Sequence, residues 1–401
     1  MSGTNFAGDV RIESAELYTG DGRHLGISGQ IVELKIFEEL FKPFRTIAIT
    51  VRDSLNFVEL FPFIGEEYID IKVTTPGLSQ SIEGKFTIYQ ITDRIQTKDK
   101  EVIYTLKGIS IEWLIDVQKN ISQKFQGNCS EIAGSLFKLL ESKRPFNAES
   151  AINETAFISN FWSPVKGLYH LCKIAKNPKN HPSFLFYENN DGFNFKSVNT
   201  LLGNQTKSKF VKNNYIPMSS NDPTKDYAAI LNMQVLESTN LLDDMLKGRF
   251  KSTLASMDSM TGNYQDPTYT QGNKHTLLNP NKSFTKVSEN QSSGVITSNK
   301  SFANFDDVAD ASDADMVQNR NSFFADLKKF KTVVEVYGKS SYTVGQVMEL
   351  EVPPMAPKTS QTIEKVTSGK YLLISLAHYI TRKGHVCSME LVKNSLMGSI
   401  T

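Results

Sequence analysis

The sequence predicts a β-rich α+β protein in which two similar β-barrel domains flank a separate α+β domain. Three observations predict this class: strand-like alternation fills both ends of the chain, helical spacing is concentrated in its middle, and the two ends share an aligned pattern. The domains that we expect are residues 1–116, residues 117–215, and residues 216–255 with 320–401, the last interrupted by a polar insertion or arm at 256–319.

Composition indicates a folded, multidomain chain. It has 401 residues, of which 39% are hydrophobic, and it contains 25 Phe and 14 Tyr. This is enough apolar area for about two to four domains. The 44 Lys and Arg balance 43 Asp and Glu, for a net charge of +1, so composition forces no broad basic face and does not favour a stable nucleic-acid partner.

Cysteine spacing and hydropathy indicate the cellular compartment in which the chain folds. Cys129, Cys172 and Cys387 are far apart and lack Cys-x-x-Cys spacing, so we expect buried, reduced thiols and neither disulfides nor a zinc site. Residues 1–10 have no signal-peptide pattern, and no stretch approaches the ~18 apolar residues of a membrane span. We expect a chain that is folded in a cytoplasm and has no stable membrane association.

The first β region covers residues 10–114. Its strand candidates are rich in β-branched and aromatic residues and lie at 45–51, 68–73, 86–92 and 102–107. A polar hairpin loop at 95–102 joins the last two, and its Lys98 and Lys100 are expected to be solvated.

The middle of the chain changes character after Trp113, which we expect to anchor the core where the first β domain ends. Ser130 is expected to cap one helix, and Ser163 and Pro164 open another. The clearest hairpin follows at 184–198, because alternation flanks an Asp-Gly turn.

The rest of the chain returns to strands after a polar interruption. We expect a strand at 228–236, helices at 240–247 and 322–330, and no apolar periodicity between 256 and 315. The last strand candidates lie at 333–337, 347–352, 371–380 and 386–393.

The two β regions share a weak repeat. An ungapped alignment matches Ile95, Lys98 and Leu106 with Ile380, Lys383 and Leu391. The glycine-led segment 65–71 matches 345–350 with a gap of one residue. Since the order of strand, hairpin and strand also matches, we predict a duplicated barrel whose two hairpins occupy equivalent positions.

Nucleotide and histidine-based chemistry is poorly supported. Gly77, Gly84 and Lys85 have the wrong spacing for a phosphate loop, and Phe86 stands where Ser or Thr binds magnesium. The histidines, none in a paired metal-ligand spacing, are His24, His170, His181, His275, His378 and His385. We expect His170 to have a packing role.

Acidic residues do not form a recognisable site either. The run 306–315 lacks the central Gly and closing Glu of a calcium loop, although the sequence does not decide whether it binds a metal. Glu112 and Asp116 are a pair that any chain with 43 acids supplies by chance. We therefore predict no catalytic, cofactor-binding or metal-binding residues, no cofactor and no enzyme activity.

Four passages, in this order along the chain, carry a family resemblance. They are FEELFKPFRTIAITVRD at 37–53 with LFPFIGEE at 60–67; FISNFWSP at 157–164 with SFLFYEN at 183–189 and GFNF at 192–195; ILN at 230–232 with NLLDDMLKG at 240–248; and the closing hairpin that ends at residue 393. In these passages the chain resembles the central hub proteins of contractile-tailed (T-even-like) phage baseplates. Residues 256–315 have no match to that pattern.

The resemblance implies two tube-type β-barrel domains in one chain, with an α+β domain between them. It implies a homotrimer that joins the sixfold tail tube to the threefold central spike, since a domain carried twice converts three into six. It further implies a DNA channel, contacts with tube or tube-initiator proteins and baseplate wedge proteins, and a place in the virion tail after assembly in the host cytoplasm. The sequence has no lysozyme-like or spike segment, so we expect neither cell-wall hydrolysis nor piercing.

Two other functions stay open. One is a tail-tip protein that binds a receptor or carbohydrate, which requires exposed aromatic residues on loops, whereas the aromatic residues here occupy mostly strand positions. The other is a tail-associated peptidoglycan hydrolase that uses residues such as Glu112, Asp116 and His170.

Overall fold

The structure is a computed structural model. It describes residues 6–20, 22–54, 57, 65–96, 101–212, 226–237, 251–257, 264–265, 268–270, 295–299, 311–328, 330–354, 364 and 366–393. The expected helix at 240–247, the loop residues Lys98 and Lys100, and the first half of the acidic run, 306–310, lie outside these residues.

The elements described in the first part of the chain are strands, as expected. They are β1 (Arg11–Tyr18), β2 (His24–Gly26), β3 (Ile31–Glu39), β4 (Thr46–Asp53), β5 (Tyr68–Thr74), β6 (Ser81–Gln96) and β7 (Val102–Ser110). Burial alternates strictly along β7, from Val102 to Ser110, as a sheet with one face on a core requires.

The middle part combines helices and short strands. Its elements are α1 (Glu112–Gln118), β8 (Lys124–Asn128), α2 (Cys129–Lys138), β9 (Phe146–Ala148), β10 (Glu154–Ile158), α3 (Pro164–Ile174), β11 (Phe184–Asn189), β12 (Gly192–Ser197) and α4 (Val198–Leu202). Ser163 caps α3, with Pro164 in its first turn, as predicted.

Two details of this middle part differ from the prediction. Asn128, not Ser130, caps α2, because its side chain accepts a hydrogen bond from the Ser130 backbone N–H. The Ser130 hydroxyl instead donates to the Glu149 carbonyl at 2.8 Å. Trp113 lies on α1, a helix the alternation did not reveal, and is half-buried against the core of the middle part.

The last part returns to strands, with one long helix. Its elements are β13 (Thr206–Val211), β14 (Ile230–Glu237), β15 (Lys251–Met257), β16 (Tyr264–Gln265), β17 (Thr268–Thr270), β18 (Val295–Asn299), α5 (Ala311–Leu327), β19 (Phe330–Tyr337), β20 (Val347–Glu351), β21 (Gly369–Thr381) and β22 (Gly384–Lys393). The helix expected at 322–330 starts earlier and ends at Leu327, because Phe330 already opens β19. Strands β15 to β18 form a small separate sheet.

One sheet of 13 strands joins the two ends of the chain. Its neighbours run β14-β19-β22-β21-β3-β4-β7-β6-β5-β1-β2, while β20 pairs with β21 and β13. Five strands of each end therefore share one order: β3-β4-β7-β6-β5 and β14-β19-β22-β21-β20, with every pair antiparallel. The next strand differs in direction, since β1 is antiparallel to β5 and β13 is parallel to β20.

The two sets of five strands also share irregularities. The pairing of β3 with β4 shifts between Ile31 and Glu33, and that of β14 with β19 shifts between Ile230 and Asn232. Bulges are specific local features, so a bulge at matching positions is a stronger sign of common design than strand order alone. Gly65 and Gly345, just before β5 and β20, both have positive φ.

The ungapped sequence alignment is wrong beyond the hairpin turn. The alignment matches Ile91 with Leu376 and Leu106 with Leu391. In the structure Ile91 pairs with Leu106, whereas Leu376 pairs with Met389 and not with Leu391. The second hairpin is therefore shorter by two residues.

Within the described ranges, three hydrophobic clusters form the cores. One lies within the first strands, one within the middle part, and one between the last strands, α4 and α5. Each cluster also contains a residue from another part of the chain. Ile380 of β21 belongs to the first cluster, and Phe44 and Leu40, from the segment between β3 and β4, belong to the second and the third.

Candidate functional site

The junction between the two sets of strands is built by β3 and β21. They pair antiparallel from Ser375 opposite Glu39 to Thr381 opposite Glu33. Just after β3, the Leu40 N–H donates to the Ile374 carbonyl at 2.8 Å. Backbone hydrogen bonds therefore make the two ends of the chain one continuous sheet.

A buried charge cluster lies beside this junction. We call Arg45, Glu188, Glu38, Arg144 and Ser110 the junction cluster. Arg45 is fully buried, and its Nε lies 3.1 Å from Glu188 Oε1 while its backbone N–H donates to Glu188 Oε2 at 3.0 Å. Arg45 also donates to the Glu83 carbonyl at 2.7 Å. One side chain thus connects the first strands with β11 of the middle part.

Glu188 has further partners that neutralise its charge. The Arg144 guanidinium donates to Glu188 Oε1 at 2.7 Å, and the Ser110 hydroxyl donates to Glu188 Oε2 at 2.5 Å. A buried carboxylate is costly unless it is paired and hydrogen-bonded, and Glu188 meets both conditions.

Glu38 is held less strongly. Its Oε2 accepts hydrogen bonds from the Thr343 hydroxyl at 2.7 Å and the Val344 N–H at 3.2 Å, while the Arg45 guanidinium is 3.8 Å from Oε1. Burial raises the pKa of Glu38 to about 7, and the nearby Arg45 charge only partly opposes this.

The hairpin turn between β11 and β12 connects all three parts. The Asn190 side chain donates to the Ser81 carbonyl at 2.7 Å, and the Asn190 N–H donates to the Thr343 hydroxyl at 3.2 Å. The sequence identified this turn but not its role, because the partners are distant in sequence. The arrangement fixes the relative position of three parts.

The acids considered as a hydrolase pair have structural partners. Glu112 accepts a hydrogen bond from the Ser142 hydroxyl at 2.5 Å, and Asp116 accepts one from the Val165 N–H at 2.8 Å in the first turn of α3. Burial raises the pKa of both carboxyls. Asp116 thus satisfies one of the free donors at a helix N-terminus.

The other candidates from the sequence are also explained by packing. His170 packs against the rings of Phe157 and Trp162, at centroid distances of 4.8 and 5.1 Å, and burial lowers its pKa. Gly84 and Lys85 lie within β6, not in a loop at a helix N-terminus, as a phosphate loop requires.

All three cysteines are buried free thiols, as predicted. Cys387, however, lies beside two of the histidines. The structure brings His378 and His385 together with Cys387, and their ligand atoms lie within 4.8 Å of one another. The absence of metal ligands stays a prediction from the sequence, and this trio is the set of described residues with the chemistry to hold a metal ion.

Among the described residues, no helix has the length and apolarity to cross a membrane.

Two solved proteins with a similar fold are tail proteins, one of them from a prophage. A tail protein from Neisseria meningitidis MC58 has a TM-score of 0.59 and 10% identity, covering 95% of this chain and 96% of that one. The 43 kDa tail protein of prophage MuSo2 from Shewanella oneidensis has a TM-score of 0.57 and 12% identity, covering 95% and 98%. No protein-family model matches the sequence, and no curated protein matches it in sequence. The resemblance to phage tail proteins is thus confirmed in the fold, over nearly the whole length of both chains.

Proposed function

We propose that the protein is a structural subunit of a phage tail baseplate hub and not an enzyme. As a homotrimer it joins the sixfold tail tube to the threefold central spike and forms a channel for DNA. The observation that carries this proposal is the shared order β3-β4-β7-β6-β5 and β14-β19-β22-β21-β20 within one chain. We interpret these sets as two tube-type barrel domains that flank the α+β domain.

The pairing of β3 with β21 within one chain indicates how neighbouring chains pair in a ring. In the shared order β3 corresponds to β14, and β21 corresponds to β6. If one contact repeats around the ring, β14 of one chain pairs with β6 of the next, as β3 pairs with β21 within a chain. Three chains then present six similar domains.

The edges of β14 and β6 suit this contact. Among the described strands, β14 pairs along its length with β19 alone. Its Leu231, Val235 and Leu236 are 38%, 42% and 43% exposed. The part of β6 that extends beyond β5 pairs with β7 alone among those strands, and its Tyr89 and Ile95 are 53% and 61% exposed. An unpaired strand edge with exposed apolar residues is a natural site for adding a strand.

The assembly test is the mass of the purified chain by light scattering, alone and with a central spike protein. We expect a trimer in at least one of the two conditions. A stable dimer, or a ring of six whole chains, contradicts the proposal.

The contact itself has a separate test. The double variant Leu231→Glu and Val235→Glu is expected to shift trimers to monomers, because it places charge at a strand edge that must be desolvated. Ile152→Glu, at a 53% exposed position in the middle part, is the matched control and should remain trimeric. If the double variant also stays trimeric, the proposed edge is wrong although the trimer stands.

The hydrolase alternative is tested by Glu112→Gln and Asp116→Asn in a cell-wall digestion assay. We expect no digestion by the unsubstituted chain and therefore no change.

The tail-tip alternative predicts saturable binding to host-cell surface carbohydrate, which we do not expect. The channel, the tube and wedge contacts and the location in the virion tail are part of the same proposal.

A further inference from the structure

His378, His385 and Cys387 meet inside the last set of strands. His378 lies on β21 directly opposite Cys387 on β22, and His385 precedes Cys387 by two residues, so all three side chains share one face of the sheet. They are 0%, 1% and 0% exposed. Their neighbours along the strands, Leu376 and Met389, are also fully buried. Three potential ligands therefore lie together in the buried interior of this set of strands.

The distances between their donor atoms approach those of a metal site. His378 Nδ1 lies 2.9 Å from His385 Nε2, and Cys387 Sγ lies 3.2 Å from the first nitrogen and 3.5 Å from the second. With Zn–N bonds of about 2.0 to 2.1 Å and a Zn–S bond of about 2.3 Å, tetrahedral geometry separates two nitrogens by about 3.3 Å and nitrogen from sulfur by about 3.6 Å. Shifts of a few tenths of an ångström bring all three atoms to bonding distance of one ion.

Hydrogen bonding alone leaves the cluster incompletely satisfied. Within the described part of the chain, His378 Nε2 and His385 Nδ1 have no hydrogen-bond partner. Unpaired polar atoms in an apolar interior are destabilising, so the cluster needs a compensating interaction. A metal ion bound to the opposite nitrogen of each ring leaves these two atoms unpaired, but the free energy of metal binding adds to that of folding and offsets their cost.

The backbone beside the cluster is shaped for the His385 ring. A Cβ atom on Gly338 would lie 2.3 Å from His385 Cδ2, and the Gly338 N–H donates to the His385 carbonyl at 2.8 Å. The ring thus packs against the backbone of Gly338, directly after β19, which keeps its Nε2 directed at the other two residues.

We propose that His378 Nδ1, His385 Nε2 and Cys387 Sγ bind one divalent transition-metal ion of the zinc type. Nitrogen and thiolate ligands select such an ion over magnesium or calcium. Binding replaces the S–H bond of Cys387 with a metal–sulfur bond and releases one proton to solvent. The fourth tetrahedral position is then left for a small ligand such as water. The ion ties β21 to β22, the hairpin whose first strand forms the junction with β3.

The proposal is tested on the full chain produced without a histidine tag. The chain is stripped with a chelator, dialysed against zinc or cobalt, freed of unbound metal and analysed for metal content. We expect about one equivalent of either metal per chain and, with cobalt, the visible absorption of a tetrahedral site plus a thiolate-to-cobalt charge-transfer band. A folded chain that retains less than about a tenth of an equivalent and shows no such bands overturns the proposal.

Variants identify the ligands. Cys387→Ser should abolish the charge-transfer band, and His385→Gln should reduce bound metal at least about tenfold. The matched controls are Cys172→Ser and His181→Gln, which alter a buried cysteine and a buried histidine elsewhere and should leave metal content unchanged. A band that survives Cys387→Ser assigns the metal to other residues and refutes the site. If a ligand variant fails to fold, the cobalt spectrum of the unsubstituted chain still decides whether a thiolate site exists.

Discussion

Arg45 and Glu188 are separated by 143 residues in the chain, yet they form a buried ion pair with 3.1 Å between Arg45 Nε and Glu188 Oε1. Arg45 belongs to the segment between β3 and β4, whereas Glu188 lies on β11 of the middle part. Their contact makes the position of the middle part dependent on the junction between the two sets of strands.

Loss of either partner leaves the other buried without its main counter-charge. We expect Arg45→Met or Glu188→Gln to lower the free energy of unfolding by about 3 to 5 kcal/mol. Denaturant unfolding, followed by fluorescence, measures the change. The control Lys35→Met removes the half-exposed pair with Glu33 and should cost less than about 1 kcal/mol. Equal effects of the buried and exposed substitutions would contradict this account of the junction cluster.

Glu38 is expected to make stability depend on pH. Its folded-state pKa is raised by burial to about 7, above the value of about 4.3 for an unfolded chain. The folded state therefore holds the proton more tightly, and this stabilisation is complete below the unfolded pKa and lost as pH rises through about 7. The full effect is of the order of 3 kcal/mol.

The comparison of Glu38→Gln with the unsubstituted chain isolates this contribution. Lys393 has an opposing effect, since burial lowers its pKa to about 7 and favours folding at higher pH, but it is common to both proteins. We expect the unsubstituted chain to lose stability relative to Glu38→Gln between pH 5 and pH 8. Glu39→Gln, at a partly exposed neighbour, should show no such divergence. Parallel pH profiles for Glu38→Gln and its parent would rule out the raised pKa.

The sequence predicted local elements well where a pattern repeats within a few residues. The hairpin of β11 and β12 followed from alternation around Asn190, Asp191 and Gly192, and Gly192 indeed has positive φ. The capped start of α3 followed from Ser163 and Pro164. The junction cluster did not follow, because the pairing of Arg45 with Glu188 depends on how distant strands pack.

The proximity of His378, His385 and Cys387 is intermediate, since part of it follows from local sequence spacing and part from the pairing of two strands. His385 and Cys387 are two residues apart, which puts them on one face of a strand, and His378 faces Cys387 across a tight hairpin. A search restricted to helical and zinc-finger spacings misses this pattern. Period-two spacing combined with the hairpin register would have found it.

Gly338 provides a test of the packing around His385 that leaves every proposed ligand intact. Gly338→Ala is expected to destabilise the chain by about 1 to 3 kcal/mol, because the added Cβ overlaps the imidazole ring of His385, which is itself fully buried. Thermal unfolding measures the effect. The control Gly29→Ala introduces a Cβ with no atom within 4 Å and should change stability by less than about 0.5 kcal/mol. A neutral Gly338→Ala would show that the ring does not occupy this position.

The proposed DNA channel leads to the last prediction, that the protein does not hold duplex DNA at physiological salt. Each phosphate that Lys or Arg neutralises releases counterions and adds affinity, so a channel lined by many such contacts would slow the passage of DNA. The chain has a net charge of +1, which is consistent with a lumen that does not attract phosphates strongly. We expect affinity weaker than the ~10⁻⁴ to 10⁻⁶ M typical of non-specific binders. Fluorescence anisotropy of a labelled duplex, repeated at several salt concentrations on the assembled trimer, measures this affinity. Micromolar binding with a steep salt dependence would instead indicate a phosphate-lined surface, and the channel would then have to retain DNA and not merely conduct it.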